Sequence, residues 1–225
     1  QVMYSGTLKE DGSIDYSKPV NNRIFSIQDR EVDPTRAHWR GANYNWNYQN
    51  ADTQVIGEII EQTTEMSLYD FANSVLFSKI GMTASWWKDA FDNYMSYCCI
   101  DATTRDFARF GLLYARGGKW EQETIISGEW VAESTALTTS ITSSLPYGYG
   151  YFWWPSVSNE WFMALGSRSN NIYVHPGLDL VAVRNSTLEI VGDTNERKNS
   201  YHLTEFPAKW DHIEFFQTII DSVVH

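Results

Sequence analysis

Apolar positions recur with a helical spacing from residue 51 onward, then switch to a strand spacing near residue 147. Residues 6–47 come before either pattern. Gly6, Gly12, Pro19, Pro34 and Gly41 punctuate them among many Asn and Asp residues, which predicts loops. From residue 51, Val55, Ile59, Ile60 and Thr63 share one helical face, and Ala51-Asp52-Thr53 offers capping chemistry. A second helix is predicted from Ser67 to about Lys79. Ser67 is its N-cap, Leu68, Phe71, Ala72, Val75 and Leu76 its buried stripe, and Gly81 its stop. Residues 83–101 read as irregular and aromatic. A third helix spans about 103–116, capped by Thr103 or Thr104, lined by Phe107, Phe110, Leu113 and Tyr114, and ended by Gly117-Gly118. A fourth, from Ser127 or Gly128 to Ser134, carries Trp130 and Val131.

The strand pattern covers Tyr147 to Trp154, Trp161 to Gly166, Asn171 to His175 and Leu180 to Arg184, all rich in aromatic and β-branched residues. Pro176-Gly177 marks a turn. Residues 189–207 form a polar connection, and a final helix near 208–223 turns Trp210, Ile213, Phe216, Ile220 and Val223 inward. Helices, then antiparallel strands, then a helix predict an α+β fold. The change of period divides it into a helical part, 1–140, and a part of sheet strands and C-terminal helix, 141–225.

Composition narrows the functional classes. The chain has 225 residues, 43% of them hydrophobic and 20% charged, enough for a real core. A net charge of -11 argues against a nucleic-acid partner, which calls for a basic stripe. No apolar stretch reaches the ~20 residues that span a bilayer. Cys98 and Cys99 are adjacent, and neighbours of this kind rarely bridge each other, so no disulfide is expected. None of the five histidines is near them in sequence, so neither is a metal site.

Several segments together resemble the β-lactamase-like serine hydrolases, the family of class C β-lactamases, penicillin-binding-protein-type peptidases, related esterases and 6-aminohexanoate-dimer hydrolase. Met3-Tyr4-Ser5-Gly6 is similar to the segment that follows the family's nucleophile helix. Tyr48-Gln49-Asn50, just ahead of a helix, resembles the Tyr-x-Asn element. Ile80-Gly81-Met82 and Thr103-Thr104-Arg105-Asp106-Phe107-Ala108-Arg109 resemble recurrent structural segments. Tyr147-Gly148-Tyr149-Gly150-Tyr151, Ala164-Leu165-Gly166 and Ile172-Tyr173-Val174 resemble the strands around a third, Lys-Thr-Gly-like motif. The 6-aminohexanoate-dimer hydrolase and esterase branch looks nearest, because its third motif commonly departs from Lys-Thr-Gly and continues as Gln-x-Ile-Tyr-Val, which the stretch Ser167-Arg168-Ser169-Asn170-Asn171-Ile172-Tyr173-Val174 resembles.

The resemblance implies attack of a serine on an ester or amide carbonyl to form an acyl-enzyme, with no cofactor. Tyr48 would be the general base that activates the serine, and later the acid that protonates the leaving group. Asn50 would bind the motif lysine and a substrate amide. An edge strand of the third motif would offer the Asn170 N–H to the oxyanion. Arg168 would bind a substrate carboxylate, since a guanidinium stays charged and suits bidentate contact. Ser169 replaces the usual glycine and would narrow the approach to the strand. Asp106 with Arg105 or Arg109 is read as organising the fold, and Trp86-Trp87 and Trp153-Trp154 as core or rim.

The family's Ser-x-x-Lys nucleophile is expected upstream of Tyr48. The literal match, Ser85-Trp86-Trp87-Lys88, comes after it, in a segment not read as a helix. The nucleophile, with the N-terminal strands of the fold, is therefore expected from a segment preceding Gln1, and the 225 residues alone are expected to be inactive. The partners implied are a small-molecule ester or amide substrate and that N-terminal segment. The alternative is an inactive binding or scaffold homologue that keeps the cleft. A carbohydrate-binding module, prompted by the tryptophans, conflicts with the predicted helices. A periplasmic, extracellular or cytoplasmic location is compatible with the sequence.

Overall fold

The computed structural model describes residues 7–8, 14–15, 50–138, 147–166, 170–185 and 211–224. Two compact units are present, residues 1–103 and 104–225. The polar connection at 189–207 and Trp210 lie outside the described residues.

In the first unit, β1 (Thr7–Leu8) pairs antiparallel with β2 (Ile14–Asp15), where loops are predicted. Helix α1 spans Asn50–Thr64. Its buried face differs from the apolar stripe in the sequence: Gln54 and Gly57 are buried, while Ile59 is 56% exposed. The reason is polar. The Gln54 side chain donates to the Tyr94 carbonyl at 2.8 Å and accepts from the Ser96 amide at 2.9 Å. Buried amide groups must be paired, and these bonds turn that face of the helix inward. Gly57 permits the approach, because a Cβ there would lie 2.6 Å from the Ser96 Cβ.

Helix α2 (Leu68–Ala72) starts where predicted, with the Ser67 hydroxyl accepting from the Asp70 amide at 3.1 Å. It runs into a π-helical turn, Asn73–Phe77, and a 3-10 turn, Ser78–Ile80, and stops at Gly81 with φ 64°. The wider π turn shifts the later side chains out of the α register. Phe77 and Ile80 are buried, whereas the predicted Val75 is exposed and Leu76 half-buried. The segment read as irregular contains an antiparallel pair, β3 (Ala84–Trp86) with β4 (Ile100–Ala102). Three-residue strands are too short to display a period of two, which is why the sequence hides them. The Trp86 indole N–H closes the intervening chain by pointing at the carbonyls of Met95 and Cys98, 3.0 and 2.9 Å away. Cys98 and Cys99 are joined by a disulfide, contrary to the expectation of unbridged neighbours. Cys99 takes a left-handed φ of 75°, which turns its side chain toward that of Cys98.

The second unit opens with α3 (Thr104–Ala115). Gly117 and Gly118, at φ 62° and 81°, end it and lead into a hairpin not predicted from sequence, β5 (Lys119–Trp120) with β6 (Glu123–Thr124). Helix α4 (Gly128–Thr135) is capped by the Ser127 hydroxyl, which accepts from the Trp130 amide at 3.1 Å. The long strand expected at 147–154 is mostly a folded-back segment. Tyr147 bridges Ser156, the Gly150 amide donates to the Trp153 carbonyl at 2.8 Å, and the paired strand is only β7 (Trp154–Pro155).

Strands β8 (Phe162–Leu165), β9 (Asn171–His175) and β10 (Leu180–Arg184) complete an antiparallel sheet in the order β10-β9-β8-β7. Alternation sends Phe162, Ile172, Val174, Val181 and Val183 to one face, with Tyr114, Val131 and Trp153 packed there. Met163, Tyr173, Leu180 and Ala182 face the other side, which Phe216 of α5 (His212–Val224) covers. Both faces of the sheet are thus occupied, which explains why Asn171, Ile172, Tyr173 and Val174 are all buried in succession. Helix α5 begins at His212, with the Asp211 carboxylate accepting from the amides of Ile213 and Glu214. Val223, predicted inward, lies in the last turn and is 54% exposed. No helix among the described residues is long and apolar enough to cross a membrane.

Candidate active site

Of the five residues assigned to the site, Tyr48, Arg168 and Ser169 lie outside the described residues. Asn50 and Asn170 are described, the first in one unit and the second in the other.

Asn50 is the first residue of α1 and is exposed. The start of that helix is held firmly. Besides the two Gln54 bonds, the Ser96 hydroxyl donates to the Thr53 carbonyl at 2.9 Å. Asp52 in the first turn favours the positive end of the helix dipole. The 94–99 turn thus anchors the first turn of α1, and Trp86 and the cysteine pair brace that turn. Sequence reasoning missed Gln54 and Ser96. Two polar residues about forty positions apart carry no local sign that they meet.

Asn170 is exposed and stands immediately before β9. That strand lies between β8 and β10, so the expectation of an edge strand is corrected. Residues 166–170 connect two inner strands whose last rung pairs Leu165 with Asn171. The Gly166 amide closes the neck of the connection. It donates to the Asn170 carbonyl at 2.9 Å and points at the Asn171 side-chain oxygen at 3.2 Å. A Cβ on Gly166 would collide with the Asn170 carbonyl, so glycine is what lets the neck close. Behind it, Asn171, Tyr173 and His212 form a polar cluster. The Asn171 side-chain nitrogen lies 3.0 Å from the Tyr173 hydroxyl, which lies 2.9 Å from Nδ1 of His212. Burial holds His212 below the ordinary imidazole value. The nearby Asp211 opposes this and Arg184 adds to it. Burial pushes the Tyr147 phenol up, and Asp211 adds to that shift.

The Ser85–Lys88 pair has the wrong geometry for a nucleophile motif. Ser85 is exposed on β3, paired with Asp101, not at a helix start. Lys88 is drawn away, with its ammonium 3.0 Å from the Asp92 carboxylate and 4.6 Å from the centre of the Tyr94 ring. The hydrogen bond to Asp92 holds Lys88 above its ordinary value, against an opposing effect of burial, so it stays charged and is no base for Ser85.

The remaining candidates are structural. Asp106 is buried in the first turn of α3 and bonded to Arg109 at 2.5 Å. Trp153 is in the core against Tyr114 and Phe162, and Trp154 packs on Tyr147 and Tyr149. Trp87 is exposed and donates to Asp101. Arg116, following α3, grips Asp179 in the β9–β10 turn through two bonds of 3.0 and 2.8 Å.

No family model matches the chain. Among solved structures it is similar to a protein from Bacillus anthracis provisionally named a 6-aminohexanoate-dimer hydrolase. The two are 26% identical with a TM-score of 0.58, over 64% of this chain and 38% of the Bacillus protein. The chain thus matches little more than a third of that protein's length. The likeness supports the superfamily seen in the sequence, and the chain has an α+β fold of the β-lactamase/transpeptidase-like kind.

Proposed function

We propose that this chain is part of a serine hydrolase that cleaves an ester or amide through an acyl-enzyme, its nucleophile supplied by a Ser-x-x-Lys segment outside these 225 residues. The observation that carries this reading is the likeness to the Bacillus protein in both fold and sequence, together with a Tyr-x-Asn whose asparagine opens α1. Tyr48 takes the proton of the serine and returns it to the leaving group. A free phenol titrates near ~10, so the lysine of the nucleophile segment must stabilise the phenolate. Asn50 orients that lysine and a substrate amide, the Asn170 N–H receives the oxyanion, and Arg168 binds a carboxylate on the substrate. Ser169 narrows the approach to the strand end and favours a linear ester or amide over a bulky bicyclic one.

The test uses the protein extended upstream along its own gene. With a p-nitrophenyl ester, Tyr48→Phe is expected to lower turnover by at least ~10²-fold, the scale of lost acid–base catalysis. Equal rates in the two proteins remove Tyr48 from the mechanism. A fluorophosphonate is expected to label the upstream serine, and labelling of Ser85 instead would overturn the assignment of the nucleophile.

A further inference from the structure

We propose that the disulfide between Cys98 and Cys99 is a reversible redox site, open to a dithiol reductant, that sets how firmly the 94–99 turn holds the first turn of α1. A disulfide stabilises a fold mainly by restraining the unfolded chain, and the effect grows with the loop it closes. This one joins neighbours in sequence, so its restraint is local. The closed ring runs through the Cα–C bond of Cys98 and the N–Cα bond of Cys99. Those two bonds flank the peptide group between the residues and fix where the Cys98 carbonyl points. That carbonyl lies 2.9 Å from the Trp86 indole nitrogen, which also points at the Met95 carbonyl at 3.0 Å. The next carbonyl, of Cys99, accepts from the Trp87 amide at 3.1 Å.

Reduction opens the ring. A thiolate of the reductant attacks one sulfur of the pair, and the other cysteine leaves as a thiolate. The second thiol of the reductant then attacks the mixed disulfide, releases the remaining cysteine and departs as the oxidised reductant. Two electrons and two protons pass from the reductant to the pair. Both cysteines are half-buried, so neither is sealed in the core away from a small dithiol. Once the ring is open, the peptide group between them turns about both flanking bonds. Cys99 is also released from a left-handed φ of 75°, a conformation uncommon for a residue with a side chain. The turn then opens more often, and its hold on α1 weakens. That hold consists of the Ser96 amide on the Gln54 side-chain oxygen at 2.9 Å, the Ser96 hydroxyl on the Thr53 carbonyl at 2.9 Å, and the Gln54 side-chain nitrogen on the Tyr94 carbonyl at 2.8 Å.

The bearing of this site on turnover rests on the hydrolase reading above, because Asn50, the proposed partner of the lysine and of a substrate amide, opens α1. Cys98 and Cys99 are positioning residues and touch no substrate.

The test is hydrogen exchange at the Ser96 amide of the 225-residue chain, with the pair oxidised and then reduced by dithiothreitol. The chain holds two cysteines, so the reductant has this one bond to break, and free-thiol counting confirms that it breaks. Reduction is expected to speed exchange at Ser96 by about 2- to 10-fold, the span set by the net worth of one hydrogen bond. Amides of α3, in the other unit, are expected to keep their rates. With both cysteines replaced (Cys98→Ser and Cys99→Ser), the Ser96 rate is expected to match the reduced wild type and to ignore the reductant. Equal rates in the oxidised and reduced wild type overturn the redox site. So does a pair that dithiothreitol leaves unreduced, or a double variant that still responds. On the upstream-extended protein, dithiothreitol is expected to lower ester turnover in the wild type and not in the double variant. Faster Ser96 exchange on reduction, with no ester turnover in either redox state, would uphold the redox site and overturn the hydrolase reading.

Discussion

Substituting Gly111→Ala sets two effects of known sign against each other. Gly111 lies in α3 where the helix meets the sheet. Helix propensity favours alanine over glycine by ~1 kcal/mol. Packing opposes it. A Cβ at this position would lie 2.7 Å from Val181 Cγ1 and 2.8 Å from Ile172 Cγ2. Carbon atoms prefer separations of about 3.5–4.0 Å, so both contacts are short by close to ~1 Å. Neither methyl sits on a flexible arm. Val and Ile are stiff at χ1, and both strands are held in register by the ladder between them. Relief requires strained rotamers or a retreat of α3 from the sheet, and overpacking of this kind costs ~1–3 kcal/mol. The clash wins, with a net destabilisation of about 1 kcal/mol. Urea unfolding followed by tryptophan emission would read it as a lower midpoint with an unchanged slope, about 0.5 M lower if the slope is ~2 kcal/mol/M. Val181→Ala removes one of the opposing methyls. The double variant is therefore expected to recover part of the loss, with a coupling of about 0.5–1 kcal/mol in a double-mutant cycle. A Gly111→Ala protein with an equal or higher midpoint, or a cycle with no coupling, would refute the packing argument. The contact matters beyond stability, because Ile172 adjoins Asn171 at the β9 end of the neck.

Other outcomes follow from the same contacts. Phe216→Ala is expected to cost ~3–5 kcal/mol, since the ring is fully buried against Trp161 and Tyr173, with Phe216→Leu much milder in the same urea assay. His212 has a lowered pKa in the folded chain, so the unfolded chain binds more protons below the ordinary imidazole value. Its stability contribution is therefore full above ~6.5 and lost as pH falls through the folded value. Urea midpoints at pH ~7.5 and ~5.5 should differ more in the wild type than in His212→Gln, and an equal difference would show that other groups carry the effect. Asp179→Asn removes an exposed ion pair with Arg116 and is expected to cost no more than ~1 kcal/mol after solvent screening, detectable as a small midpoint change that high salt reduces.

Elements with a long, uninterrupted period were legible in advance. The periods of α3, β8, β9 and β10 appear almost residue for residue, and the cap at Ser67 was readable because a Ser before a helical run has a local hydrogen bond to make. The π turn after α2, the hairpins β3–β4 and β5–β6, and the fold-back at 148–153 were not. Each rests on segments too short to display a period of their own. Of the candidate site, the chemical types at Tyr48, Asn50 and Asn170 were legible as a pattern, whereas Gln54, Ser96, Asn171 and His212 became visible only as neighbours.

The amino-acid sequence by itself determined the α+β class, the positions of the three long sheet strands and a likeness to β-lactamase-like hydrolases. All of these live in local periodicity and short spacing. The tertiary structure alone decided which face of α1 is buried, that Cys98 and Cys99 bridge, that the strand following the third motif is an inner one, and that Asn171, Tyr173 and a histidine on the last helix meet behind the neck of β8 and β9. The physical reason is the same in every case. Apolar burial is written along the chain at a fixed period. A buried polar group has no period, and it is tolerated only where a partner from elsewhere in the fold completes its hydrogen bonds.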